Sequence, residues 1–122
     1  MQRSLKYLKD RGWQCAIVEK WIAYPAAVQQ KLGIPGIRVD VWGFGDILAC
    51  RTVVSESGRA VRQIALFQTT DMSSLSKHRT KAESVSELAL WKEAGGLAVL
   101  HAWAKRGERG KRKTWQLTHI NL

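Results

Sequence analysis

The chain has 122 residues, 45% hydrophobic and 25% charged, which suits one folded domain with a single core and argues against a disordered chain. Twenty Lys and Arg against ten Asp and Glu give a formal charge of +10, so a polyanionic partner is expected, nucleic acid before an acidic protein. Two separated cysteines make neither a disulfide framework nor a zinc site, and no run resembles a signal peptide or a membrane span. Cys15 and Cys50 are expected as buried free thiols in a reducing cytoplasm.

In chain order, Gln2 to Arg11 reads as a helix with Leu5 and Leu8 inward, stopped by Gly12. Trp13 to Trp21 reads as one strand, in which Cys15, Ile17, Glu19 and Trp21 share a face. An acid in line with apolar neighbours is either a solvated strand end paired with a lysine or a group held inward by a cation, and both readings of Glu19 stand at this point. Ile22 to Ile37 holds both prolines and is expected as a loop or short helix, in which Tyr24, Gln29, Gln30 and Lys31, with Arg38 just after it, are placed to touch a substrate backbone. Then Arg38 to Asp46 brings two acids and two aromatics together: Asp40 either joins a metal or pairs with Arg38, and Trp42 and Phe44 either stack on bases or cap the core.

The centre of the chain is a hairpin. Asp46 to Val54 and Arg62 to Thr70 are apolar, β-branched runs joined by Ser- and Gly-containing Ser55 to Arg59. Antiparallel pairing brings Asp46 beside Gln68 to Thr70, and strand alternation sends Gln68 and Thr70 to one face. Two oxygen ligands at one sheet edge suit a hard divalent cation such as Mg²⁺ or Mn²⁺.

Beyond it, Asp71 to Ser74 reads as a helix entry with Ser73 or Ser74 as N-cap, leading into a helix that carries Lys77, Arg79 and Lys81. That basic run is either a solvated face or a phosphate-holding one. Ser84 to Glu87 is a capping-box pattern before a second helix, whose stripe is Val85, Leu88, Trp91 and Ala94. Two more strands, Leu97 to Lys105 and Thr114 to Leu122, follow Gly95-Gly96, and His101 reads as a hydrogen-bonded interior residue. Between them Lys105, Arg106, Arg109, Lys111, Arg112 and Lys113 make a basic loop, either a solubilising segment or a sequence-independent phosphate contact.

The Gly43-Phe44-Gly45-Asp46 entry with Gln68-x-Thr70 resembles the metal-binding core of the PD-(D/E)XK nucleases. The form is similar to Holliday-junction resolvases and small phage-encoded nuclease-like proteins. The resemblance implies an α/β, restriction-endonuclease-like fold, a mixed sheet flanked by helices in the order α-β-β-β-α-α-β-β. It also implies catalytic roles at Asp46, Gln68 and Thr70, and metal ligation by Asp46 and Gln68, with Glu19 or Asp40 completing the oxygen shell. The family's second acid falls on Gln68 and its lysine on Thr70, so Lys77, Arg79 and Lys81 are the nearest replacements for the missing charge. The expected activity is Mg²⁺- or Mn²⁺-dependent hydrolysis of branched or double-stranded DNA, with a homodimer matching two-fold substrates. The alternative is an inactive nuclease-fold protein of phage accessory or inhibitory type that occupies DNA or a host protein.

Overall fold

The computed structural model describes all 122 residues. Its elements are α1 (Gln2–Lys9), β1 (Gln14–Ile17), β2 (Lys20–Ala23), α2 (Ala26–Leu32), β3 (Gly36–Val39), β4 (Ile47–Val54), β5 (Ala60–Asp71), a 3-10 turn (Met72–Ser74), α3 (Leu75–Glu83), α4 (Ser86–Glu93), β6 (Leu97–Arg106) and β7 (Thr114–Asn121). The main sheet runs β1-β4-β5-β6-β7, antiparallel except for the parallel β5–β6 pair that α3 and α4 connect. This is the mixed sheet flanked by helices that the sequence leads one to expect.

Alternation along the strands divides the core between the sheet's two faces. On one, α1 sets Leu5 and Leu8 against Trp13, Ile47, Ala49, Ala65, Phe67 and Val99. On the other, Phe44, Leu66 and Ala98 pack with Ala82 of α3 and Leu88 of α4. Three of the four expected stripe residues hold, Val85 and Trp91 joining Leu88 against that cluster, whereas Ala94 is exposed at the C-cap of α4. Glycine is required where α4 meets β6, because a Cβ on Gly96 would overlap the Trp91 indole, whose Nε1–H donates to the Leu97 carbonyl at 2.7 Å.

Four local expectations are corrected. Trp13 to Trp21 is not one strand: β1 ends at Ile17, the Val18 amide makes the last bond in register with β4, to the Asp46 carbonyl at 2.9 Å, and the chain then leaves the sheet at Glu19. Residues 20–39 form a two-stranded antiparallel ribbon, β2 with β3, whose tip is α2, so the order gains two strands and a helix, and the ribbon stands apart from the main sheet. Ser74 is the N-cap of α3 by position, but its side chain makes no capping bond; the capping side chain is Asp71, ahead of the 3-10 turn, accepting from the Ser74 amide at 2.9 Å and the Ser73 hydroxyl at 2.8 Å. The capping box does not form either: Val85 is the N-cap of α4, and Ser84 Oγ donates back to the Lys81 carbonyl at 2.6 Å.

Cys50 is a further correction. It is exposed, because α3 and α4 lie over β5 and β6 and leave the β1–β4 side of their face open, while Cys15, on the α1 face beside Ala49, is half-buried. Burial still pushes the Cys15 thiol up, against the nearby Lys9 charge.

Candidate metal centre

Where β4 begins beside the end of β5, Ile47 pairs with Phe67 and the Asp46 amide donates to the Phe67 carbonyl at 2.9 Å. The tight segment before it requires its glycines. A Cβ on Gly45 would press on Leu66 at 3.0 Å and Val41 at 3.3 Å, and Trp42 and Gly43 both take positive φ, 52° and 79°. Phe44 is fully buried and caps the core, while Trp42 leans on Phe44 and Trp91 with ring centroids 6.1 Å away in both cases.

Asp46 is only 5% exposed. One of its oxygens, Oδ2, accepts from the Thr69 amide at 2.8 Å and the Thr69 hydroxyl at 3.2 Å. The departure of the chain at Glu19 and its return at Asp40 bring two more acids to the same place. One ligand oxygen from each of Glu19, Asp40 and Asp46 lies within 4.8 Å of the others. Glu19 and Asp40 immediately flank the ribbon's first pair, Lys20 with Val39, which is how residues 21 apart in sequence come to share a site.

Gln68 is 1% exposed. Its Nε2 donates to Asp40 Oδ2 at 2.9 Å, and its Oε1 is enclosed with no donor. Buried acceptors without a partner are rare, because each forfeits its hydration. Burial, followed by the hydrogen-bonding Asp40 carboxyl, pushes Asp46 up to about 7, the Thr69 amide opposing and the charges of Asp40 and Glu19 adding to it. No basic side chain pairs with the group: the ion pairs of the chain are Lys6–Asp10, Arg79–Glu83 and Lys111–Glu108, all at the surface. Three crowded carboxylates with no counter-charge, beside an orphaned amide oxygen, form a donor set that fits a hard divalent cation.

The other expected residues lie around this group at differing distances. Thr70 is half-buried on the Gln68 side of β5, and Lys77 and Arg79 are exposed on α3, with Arg79 held by Glu83 at 3.0 Å. Lys81 runs along Gly43, its Cε 3.2 Å from where a Cβ would stand, and so lies against the turn that leads into Asp46. Arg38 is exposed on β3 and makes no ion pair with Asp40, whose carboxylate instead takes the Gln68 amide. Lys105 and Arg106 end β6, and Arg109, Lys111, Arg112 and Lys113 are all exposed in the turn to β7. Since Gln68 pairs with Leu100, Arg106 stands six residues further along β6, about 20 Å at strand rise, beyond the acid cluster rather than over it.

Two features escaped the sequence. Ser4, fully buried in α1, joins His101 and Trp103 in a polar network, and the residues around His101 line a cavity on the opposite face of the sheet. A helix serine three residues from the start carries no pattern that would single it out. No protein-family model, no curated protein and no solved structure matches the chain. No helix is long and apolar enough to cross a membrane.

Proposed function

We propose that the chain is a metal-dependent phosphodiesterase of the PD-(D/E)XK type, acting with low sequence specificity on structured or double-stranded DNA. The observation that carries the reading is the convergence of Glu19, Asp40 and Asp46 within 4.8 Å, unpaired with any cation of the protein, beside the orphaned Gln68 Oε1. The +10 charge supplies the attraction for a polyanionic substrate.

Asp46, Asp40, Glu19 and Gln68 would hold Mg²⁺ or Mn²⁺, which when bound supplies Lewis-acid charge to the phosphodiester oxygens. Asp46 is the fixed ligand, since the Thr69 amide and hydroxyl orient its carboxylate. Asp40 is aligned by the Gln68 amide. Asp40 directly follows β3 and Asp46 directly precedes β4, so strand ends rather than a long loop pre-position the oxygens. Lys81, which lies against Gly43 in the entry turn, offers positive charge to the substrate backbone together with Lys77. Thr70 brings a hydroxyl where the resembling family has an ammonium.

A second reading, DNA occupancy without cleavage, is favoured by that same replacement and by the absence of any Lys or Arg contact to the carboxylates. The deciding experiment is incubation of a labelled four-way junction, a flap and a plain duplex with Mg²⁺, Mn²⁺ or EDTA, beside Asp46→Ala. The nuclease reading expects cutting that needs metal and falls at least a hundredfold in Asp46→Ala. Salt-sensitive binding of all three with no cut product leaves the occupancy reading.

A further inference from the structure

The face of the sheet that α1 covers holds a cavity of about 180 Å³ lined by Tyr7, Arg11, Trp13, Arg51, His101 and His119, among others. It lies across the sheet from Gln68, because Phe67, Val99 and His101 alternate to the opposite side. No carboxylate lines it. Arg51 donates through Nε to Gln63 Oε1 at 2.8 Å and through Nη1 to the Arg11 carbonyl at 3.3 Å, and its guanidinium lies 4.2 Å from the centre of the Trp13 ring. Arg11 donates to the Tyr7 carbonyl at 3.0 Å and lies 3.4 Å from the centre of the Tyr7 ring. Neutral acceptors and aromatic faces thus orient both guanidiniums and leave both charges uncompensated.

His101 adds a fixed donor. The Trp103 indole can only donate, and it gives its proton to Ser4 Oγ at 2.8 Å. The Ser4 hydroxyl, fully buried and touching nothing else polar, therefore donates to His101 Nδ1 at 3.0 Å. The neutral ring then carries its proton on Nε2, which has no protein partner and is left for the cavity the ring lines. Burial, with the His119 and Arg11 charges, lowers the His101 pKa to about 4, which agrees with a neutral donor.

We propose that this cavity binds a terminal phosphate group, held by the Arg11 and Arg51 guanidiniums and the His101 Nε2–H. Two fixed positive charges and a neutral donor from separate walls match a dianionic, tetrahedral oxyanion better than a planar carboxylate. The volume is below that of a drug-sized ligand pocket and suits the phosphate with little of what bears it. The phosphate belongs to a mononucleotide or to the 5′ end of a DNA strand. The inference does not rest on the metal centre, which lies on the other face.

The test is calorimetric titration in EDTA and low salt with inorganic phosphate, deoxyadenosine monophosphate, and one oligonucleotide carrying either a 5′-phosphate or a 5′-hydroxyl. Arg11→Gln and Arg51→Gln are compared with Lys113→Gln, which removes the same charge from the distant loop. Saturable phosphate binding that weakens at least tenfold in both cavity variants and less than twofold in Lys113→Gln is the expected result. Arg11 is exposed and bonds only a neighbouring carbonyl, so its variant answers even if Arg51→Gln folds poorly. Preference for the 5′-phosphorylated strand over its 5′-hydroxyl form assigns the site to DNA ends, and tight mononucleotide binding without that preference assigns it to free nucleotides. Equal weakening in all three variants, or no saturable phosphate binding, overturns the proposal.

Discussion

At the scale of single residues, the chemistry turns on Gln68. Its amide neutralises part of the Asp40 demand and leaves Oε1 without a donor, so a substitution there should act oppositely with and without metal. Gln68→Glu places a fourth carboxylate, almost fully buried, among three others. In EDTA it should lower the melting temperature, by the several degrees expected of about 1–3 kcal/mol for an uncompensated buried group. With Mn²⁺ it should bind at least tenfold more tightly than the wild type, as read by calorimetry, and a variant with unchanged affinity would remove Gln68 from the site. His101 gives a second residue-level expectation. Its folded pKa of about 4 lies below the unfolded value of 6.5, so the unfolded chain takes up the proton first as pH falls. The stabilisation is complete above 6.5, declines between 6.5 and 4, and amounts to about 3 kcal/mol when fully lost. Asp46, held up to about 7, titrates in the same window with the opposite sign, so the decline is read in an Asp46→Asn background, where denaturant melts should show it and adding His101→Gln should flatten it.

At the scale of elements, the ribbon of residues 20–39 explains how the site is assembled. Its stems deliver Glu19 and Asp40 to Asp46, so a divalent cation would tie both stems to the sheet. Thermal melts should accordingly rise with Mn²⁺ in the wild type, by about 2.7 kcal/mol at a hundredfold excess over Kd, and stay flat in Asp46→Asn, which keeps the size and one acceptor but not the charge. Packing sets the other element-level expectation. Gly96→Ala drives a methyl into the Trp91 ring and threatens the Trp91–Leu97 hydrogen bond that seats α4 on β6. A loss of about 1–3 kcal/mol by denaturant melt is expected; a neutral result would mean that α4 shifts freely.

At the scale of the whole molecule, charge and exposure are unevenly distributed. The basic turn between β6 and β7 stands well past the acid cluster, while Ile17, Trp21, Ile22, Leu32, Ile34 and Ile37 expose apolar surface on and beside the ribbon. Reversing Lys111, Arg112 and Lys113 to Glu should weaken DNA binding and reduce the slope of log affinity against log salt by about 0.9 per lost phosphate contact. An unchanged slope would show that the turn makes no phosphate contact.

The Asp46–Gln68 meeting was legible in the sequence because strand pairing is local: two alternating apolar runs and a short Ser/Gly turn fix the register, and register fixes which ends meet. The mixed sheet and its helices were legible for the same reason of periodicity. The break after Val18 was not, since WQCAIVEKW has an unbroken β pattern and pairing stops only because its distant partner, β4, begins at Asp46–Ile47. That break carries Glu19 and Asp40 into one cluster, a convergence set by the tertiary path alone. The exposure of Cys50 and the Ser4–His101–Trp103 network have the same origin. Burial and long-range hydrogen bonds depend on which faces the helices cover, and neither periodicity nor composition carries that information.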